Sequence, residues 1–95
     1  SRCMSSSLSA LEHLLALAEA MLSAAENSDW DLLARYEADR RALTDSLPNN
    51  LTSQLAPAAA VRARTLIENC QRCDARIRPL VEARLNELRV VLREV

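Results

Sequence analysis

The sequence contains no glycine, no phenylalanine and no lysine. Without glycine, a phosphate-cradling glycine loop is excluded and a β-sandwich with its glycine-rich turns is disfavoured. Aromatic residues make up 2% of the chain, one Trp and one Tyr, so no aromatics lie among the basic residues to stack on bases, and nucleic-acid binding is not indicated. His13 is the only histidine, and it falls about 150° from the centre of its helical stripe, which makes it a surface residue with no second imidazole for a metal. No apolar run approaches the roughly 20 residues of a membrane span. No charged, apolar and cleavage-site succession opens the chain, so the expectation is a soluble cytoplasmic protein. The three cysteines suit free thiols in a reducing compartment.

Alanine and leucine dominate what remains. Hydrophobic residues are 49% of 95 residues, and the balance of good helix formers makes the fold class all-α. A chain of this length forms one domain, residues 1–95, with a modest core suited to long helices. All twelve basic residues are arginine. Residues 1–48 carry eight acids and four arginines, a net of −4, whereas residues 49–95 carry five acids and eight arginines, a net of +3. Acidic and basic halves therefore complement each other, with the arginines on solvated helix faces.

Residues 1–6 read as a tag remnant or disordered lead-in, since Ser1, Arg2 and Cys3 precede Met4. Ser9 and Glu12 have capping-box spacing, which predicts a first helix over about 7–26 with Leu8, Leu11, Leu15, Ala18, Leu22 and Ala25 on one stripe, flanked by Leu14 and Met21. Asn27 and Ser28 break it. Ser28, Asp29 and Asp31 then open a second helix, about 29–47, whose stripe of Trp30, Leu33, Glu37, Arg40, Thr44 and Leu47 is unusually polar. Glu37 and Arg40 either form a partly buried pair or extend to solvent. Pro48, Asn49 and Asn50 end this helix, residues 51–56 allow one more turn, and Pro57 suits the first position of a third helix over 58–95.

That third helix sets Leu66, Cys70, Cys73, Ile77, Leu80, Leu88, Val91 and Val95 on one face, and Asp74 with Arg78 and Glu68 with Arg72 have the spacing of supporting ion pairs. Pro79 removes one hydrogen bond, predicting either a kink or a full break. The expected fold is an antiparallel three-helix bundle with a long, Pro-kinked third helix. If Leu47 packs near Ala58, Glu37 lies level with Glu68 and Trp30 with residues 75–77. Pro79 then falls just beyond the hairpin, and Leu85, Leu88, Val91 and Leu92 project without cover.

Cys70 and Cys73 match C-x-x-C, but mid-helix and without strands they read as thiols packed like small apolar residues. Arg84 lies within the apolar stripe, either as a recognition residue or as an arginine whose stem covers apolar surface. No nucleophile elbow, acid–base pair in a cleft, phosphate loop or metal set is present, so no enzyme and no cofactor are expected.

Two segments carry a family resemblance. Residues 20–47, AMLSAAENSDWDLLARYEADRRALTDSL, have a short break, then Trp30 and Asp31 opening a helix, then Leu33, Glu37 and Arg40. Residues 77–92, IRPLVEARLNELRVVL, contain Ile77, Leu80, Arg84, Glu87 and Leu88. Together they resemble the FliT family of flagellar export chaperones. The resemblance implies a cytoplasmic helical chaperone that binds the filament-cap protein FliD before export and contacts components of the export ATPase. In some species the family also restrains the master regulator FlhDC, and some members fold a further C-terminal segment back over the binding surface. This chain stops at Val95, so neither self-masking by that segment nor the regulator role is carried over.

The candidate partner-binding residues are Ile77, Leu80, Val81, Arg84, Leu85, Leu88, Val91 and Leu92, a surface for an amphipathic helix of the client. Two alternatives are open: the same stripe closes a homodimer, or the chain is an adaptor that regulates flagellar gene expression through protein contacts.

Overall fold

A computed structural model describes residues 2–47 and 55–94, with side chains from Ser7 onward. The Cys3 side chain, most of the expected turn over 51–56 and the place of Val95 on the third helix lie outside what is described. Three helices are present, α1 (Arg2–Glu26), α2 (Trp30–Asp45) and α3 (Pro57–Glu94), with no strand among the described residues. The fold is all-α.

Helix α1 runs from Arg2 to Glu26, starting ahead of the expected bound near residue 7. Ser9 and Glu12 then lie well inside the helix and do not cap it. The serines ahead of Leu8 each cost only about 0.5 kcal/mol relative to alanine, too little to stop a helix that continues back from a leucine-rich section.

At its other end α1 closes without glycine. The Asp29 N–H donates to the Ala24 carbonyl at 2.8 Å and the Ser28 N–H to that of Ala25 at 3.1 Å, with Ser28 at φ 58. This is the paired bonding of a Schellman motif, built on a serine where glycine is usual and at a cost of about 1 kcal/mol. Asp29 caps the next helix, its side chain accepting from the Leu32 N–H at 3.3 Å.

Helix α1 is central. Leu11, Ala18, Leu22 and Ala25 of its expected stripe and the flanking Met21 are buried, but so are Leu17 and Ala24, which widen the apolar surface to two faces. Leu11 clusters with Ala63 and Leu66 of α3, and further along Met21, Leu22 and Ala25 cluster with Ile77. Exposed pairs follow the same ascending order, Glu12 with Arg62 at 3.8 Å and Glu26 with Arg76 at 3.3 Å. Helix α2 buries no residue completely. It runs against the direction of α3, since Arg40 meets Asp74 while the earlier Trp30 lies by the later Arg84.

These pairings correct the expected register. Arg40 meets Asp74, and Trp30 reaches Arg84 while still packing on the cluster that contains Ile77, so α2 lies further along α3 than expected. The reason is length. Helix α2 has 16 residues and covers only the middle of the 38-residue α3, whose first turns pack on α1 alone. Pro79 consequently lies inside the packed section, between buried Ile77 and the half-buried Leu80 and Val81. Helix α3 continues through it without a break. Pro79 and Ala75 are both exposed, so the carbonyl that loses its donor faces water.

Residues 7–26 of α1 have a mean hydropathy of 1.3 and are long and apolar enough to cross a membrane by length and composition. This overturns the expectation that no segment reaches that threshold. Its leucines and alanines serve instead as the surface on which α2 and α3 pack.

Leu66 is the most fully enclosed large side chain, at 1% exposure. Leu66→Ala is expected to lower the unfolding free energy by about 3 kcal/mol. In urea the midpoint should fall with the slope unchanged; an unmoved midpoint would show that the first half of α3 does not pack on α1.

Candidate partner-binding groove and stripe

Both outer helices pack on α1, yet no Cα of α2 comes within 8 Å of one in α3 among the described residues. The gap is a groove of about 580 Å³. Met21 of α1 forms its floor, with Trp30 and Leu33 on the α2 wall and Ile77 and Val81 on the α3 wall. Arg78 and Glu82 form part of the α3 rim. An apolar trough with charged edges accommodates one face of an amphipathic helix.

One end of the groove is closed by charge. Arg40 donates to Asp74 Oδ1 at 2.6 Å and to Glu37 Oε2 at 2.8 Å, and Arg41 approaches Glu37 at 3.6 Å. Glu37 and Arg40 thus form the partly buried pair that the sequence allowed, with Asp74 added from across the groove. Burial alone would weaken the Arg40 charge, but its hydrogen bond to Asp74 and the nearby carboxylates outweigh it and raise its pKa further. The guanidinium fork reaches both carboxylates at once, which a lysine ammonium does less well. Asp74 was assigned to Arg78 by helical spacing; it turns to Arg40 instead. Arg72 likewise bonds Asn69 at 3.3 Å, so neither of the two expected ion pairs along α3 forms among the described residues.

At the opposite end Arg84 lies 5.9 Å from the centre of the Trp30 ring and 3.5 Å from Glu87. Its stem is half-buried. The packed line of α3, Leu66, Cys70, Cys73, Ile77 and Leu80, reaches Arg84 next and loses its apolar character. Apolar residues continue one position further round as Val81, Leu85, Leu88 and Leu92, on the groove side of the helix. Leu85, Leu88, Val91 and Leu92 are 45%, 40%, 55% and 73% exposed. Groove and stripe therefore form one surface.

The family model described as Flagellar protein FliT matches residues 8–95. The chain belongs to the FliT family. FliT family membership implies a flagellar export chaperone role. No curated protein and no solved structure matches it significantly.

Within this FliT chain the sequence-derived residues divide in two. Ile77 is buried core, Leu80 and Val81 are half-buried against the same cluster, and Arg84 covers Trp30. Leu85, Leu88, Val91 and Leu92 form the uncovered part, which starts about six residues after Pro79. Trp30, Leu33, Met21 and Asp74 line the groove but were not assigned to the site. The signal for the groove was the second apolar line of α1 through Leu14, Leu17, Met21 and Ala24, which separates the outer helices.

Cys70 and Cys73 are free, half-buried thiols. Burial pushes both upward in pKa, helped by Asp74 for Cys70 and by Glu19 for Cys73. The reactive thiolate accordingly forms later with rising pH than in a free cysteine. Alkylation of the folded chain should therefore show two slow thiols with midpoints above that of free cysteine, accelerating on unfolding. A fast thiol at neutral pH assigned to either position would contradict this packing.

Arg40→Ala leaves two carboxylates facing each other and should lower stability by about 1–2 kcal/mol. Thermal unfolding in high salt should recover part of that loss, because the residual repulsion is screened. A salt-independent loss would point to lost packing of the arginine stem.

Proposed function

We infer that this chain is a flagellar type III export chaperone, acting in the cytoplasm, whose client is the filament-cap protein FliD. Family membership supplies the chaperone role. The observation that supports a helical client is the continuity of the α2–α3 groove with the exposed stripe through Leu85, Leu88 and Leu92. A client helix lying in this channel buries its apolar face on Trp30, Leu33, Val81 and the leucines beyond them. Its self-assembly segment is then held out of reach of other copies until export. No bond is made or broken, and the function is binding alone.

Components of the export ATPase are further partners within the same reading, since handing over a client requires a contact away from the occupied groove. Nucleic acid has no place in it. Five of the arginines, Arg40, Arg41, Arg62, Arg76 and Arg84, are engaged with carboxylates instead of forming an open basic face.

The test is titration of purified FliD against the chain and its Leu88→Glu and Leu92→Glu variants. Each substitution should weaken binding at least about tenfold while the helical circular dichroism stays unchanged. Undiminished affinity in both folded variants would remove the stripe from the site, and absence of FliD binding by the unaltered chain would overturn the client assignment.

A further inference from the structure

Where the groove meets the exposed stripe, the apolar path through Val81, Leu85 and Leu88 passes beside a charge. Arg84 is half-buried there, with its guanidinium 5.9 Å from the centre of the Trp30 ring. Its Nη1 reaches Glu87 Oε2 at 3.5 Å, the outer limit of a hydrogen bond, and no other protein acceptor meets the guanidinium among the described residues. Glu87 lies three residues further along the same helix on an exposed turn, and a surface pair of this kind contributes little. The remaining N–H donors of Arg84 are therefore solvated in the free chain, while the Trp30 ring limits where the guanidinium can point.

A helix seated in the channel has to pass over this group. An occupant with an unbroken apolar face would strip those donors of water and return no acceptor, and one with a cation at that level would add repulsion. A carboxylate meets both demands. It replaces the lost water, accepts the guanidinium fork in a bidentate pair, and requires only the weak Glu87 contact to be given up.

We propose that Arg84, held against Trp30 at the junction of groove and stripe, determines specificity at this surface by selecting a client helix that carries one carboxylate, Asp or Glu, within its apolar face. The neighbours of Arg84 fix what surrounds that carboxylate. Toward the closed end the walls are Trp30, Leu33 and Val81, and one turn toward the tip the surface is Leu88. The client acid therefore has apolar residues three or four positions before and after it, inside the stripe and not at its edge. Amphipathic helices whose acids lie only on the polar face are rejected, because they leave Arg84 covered and unpaired. This inference rests on the reading that the channel takes a client helix, and not on that client being FliD.

Calorimetric titration of the full chain with three helical peptides tests it. The peptides are alike except for one central residue, Glu, Gln or Lys, with leucines three and four positions to each side. The Glu peptide should bind about tenfold more tightly than the Gln peptide, and the Lys peptide more weakly than either. In Arg84→Gln, with helical circular dichroism unchanged, the preference for Glu over Gln should vanish. In Arg84→Lys part of it should remain, since the charge is kept and the planar fork is lost. Equal binding of the Glu and Gln peptides, or binding of none of the three, would overturn the proposal. So would an Arg84→Gln variant that weakens both peptides equally, which marks the arginine as apolar cover only. A Glu preference without FliD binding overturns the client assignment alone; FliD binding without a Glu preference overturns this inference alone.

Discussion

Everything in this fold depends on α1 being apolar on two faces. Helix α2 is too polar to cover another helix by itself, and α3 is too long to be covered by either neighbour. Both must use α1. Leu11, Leu22 and Ala25 hold α3, while Leu17 and Ala24 extend the buried surface round the helix. Because the two outer helices are each satisfied by α1, they do not close on each other, and the space between them becomes the groove. A bundle with three equivalent apolar stripes would have shut it.

Charge completes what packing leaves open. Arg40 joins the outer helices by charge, reaching Asp74 across the groove while held by Glu37 from its own helix. Such a half-buried cluster adds modest stability, and its larger effect is to fix one end of the channel at a definite width. The other end, beside Trp30 and Arg84, carries no comparable closure and continues into the exposed stripe. The channel therefore has a shut end and an open end, and an occupying helix has a defined direction of continuation.

Local features of this fold were readable in the sequence because they arise from neighbours along the chain. The 3.6-residue repeat located the buried line of α1, Asn27 and Ser28 marked the hairpin, and Pro57 marked the start of α3. Glu37 and Arg40 announced themselves as charges on an apolar line. The register of α3 was not readable, because it is fixed by Ala63 and Leu66 meeting Leu11 and not by the loop after Leu47. Asp74 was misassigned for the same reason: its nearest cation in sequence is Arg78, but its nearest in space is Arg40. The early start of α1 was obscured by serines, which are weak signals in either direction.

The exposed end of α3 has a dynamic consequence. The described residues of α3 beyond Arg84 are all exposed, and a helical segment without tertiary packing is only marginally stable in water. Their order is borrowed from the packed turns behind them, so opening free energy should fall steadily toward the tip. Any occupant of the stripe therefore stiffens it as well as covering it, and part of its binding energy is spent in suppressing helix fraying. Affinity at this surface is set jointly by the leucines that are touched and by the helical order of the segment that presents them.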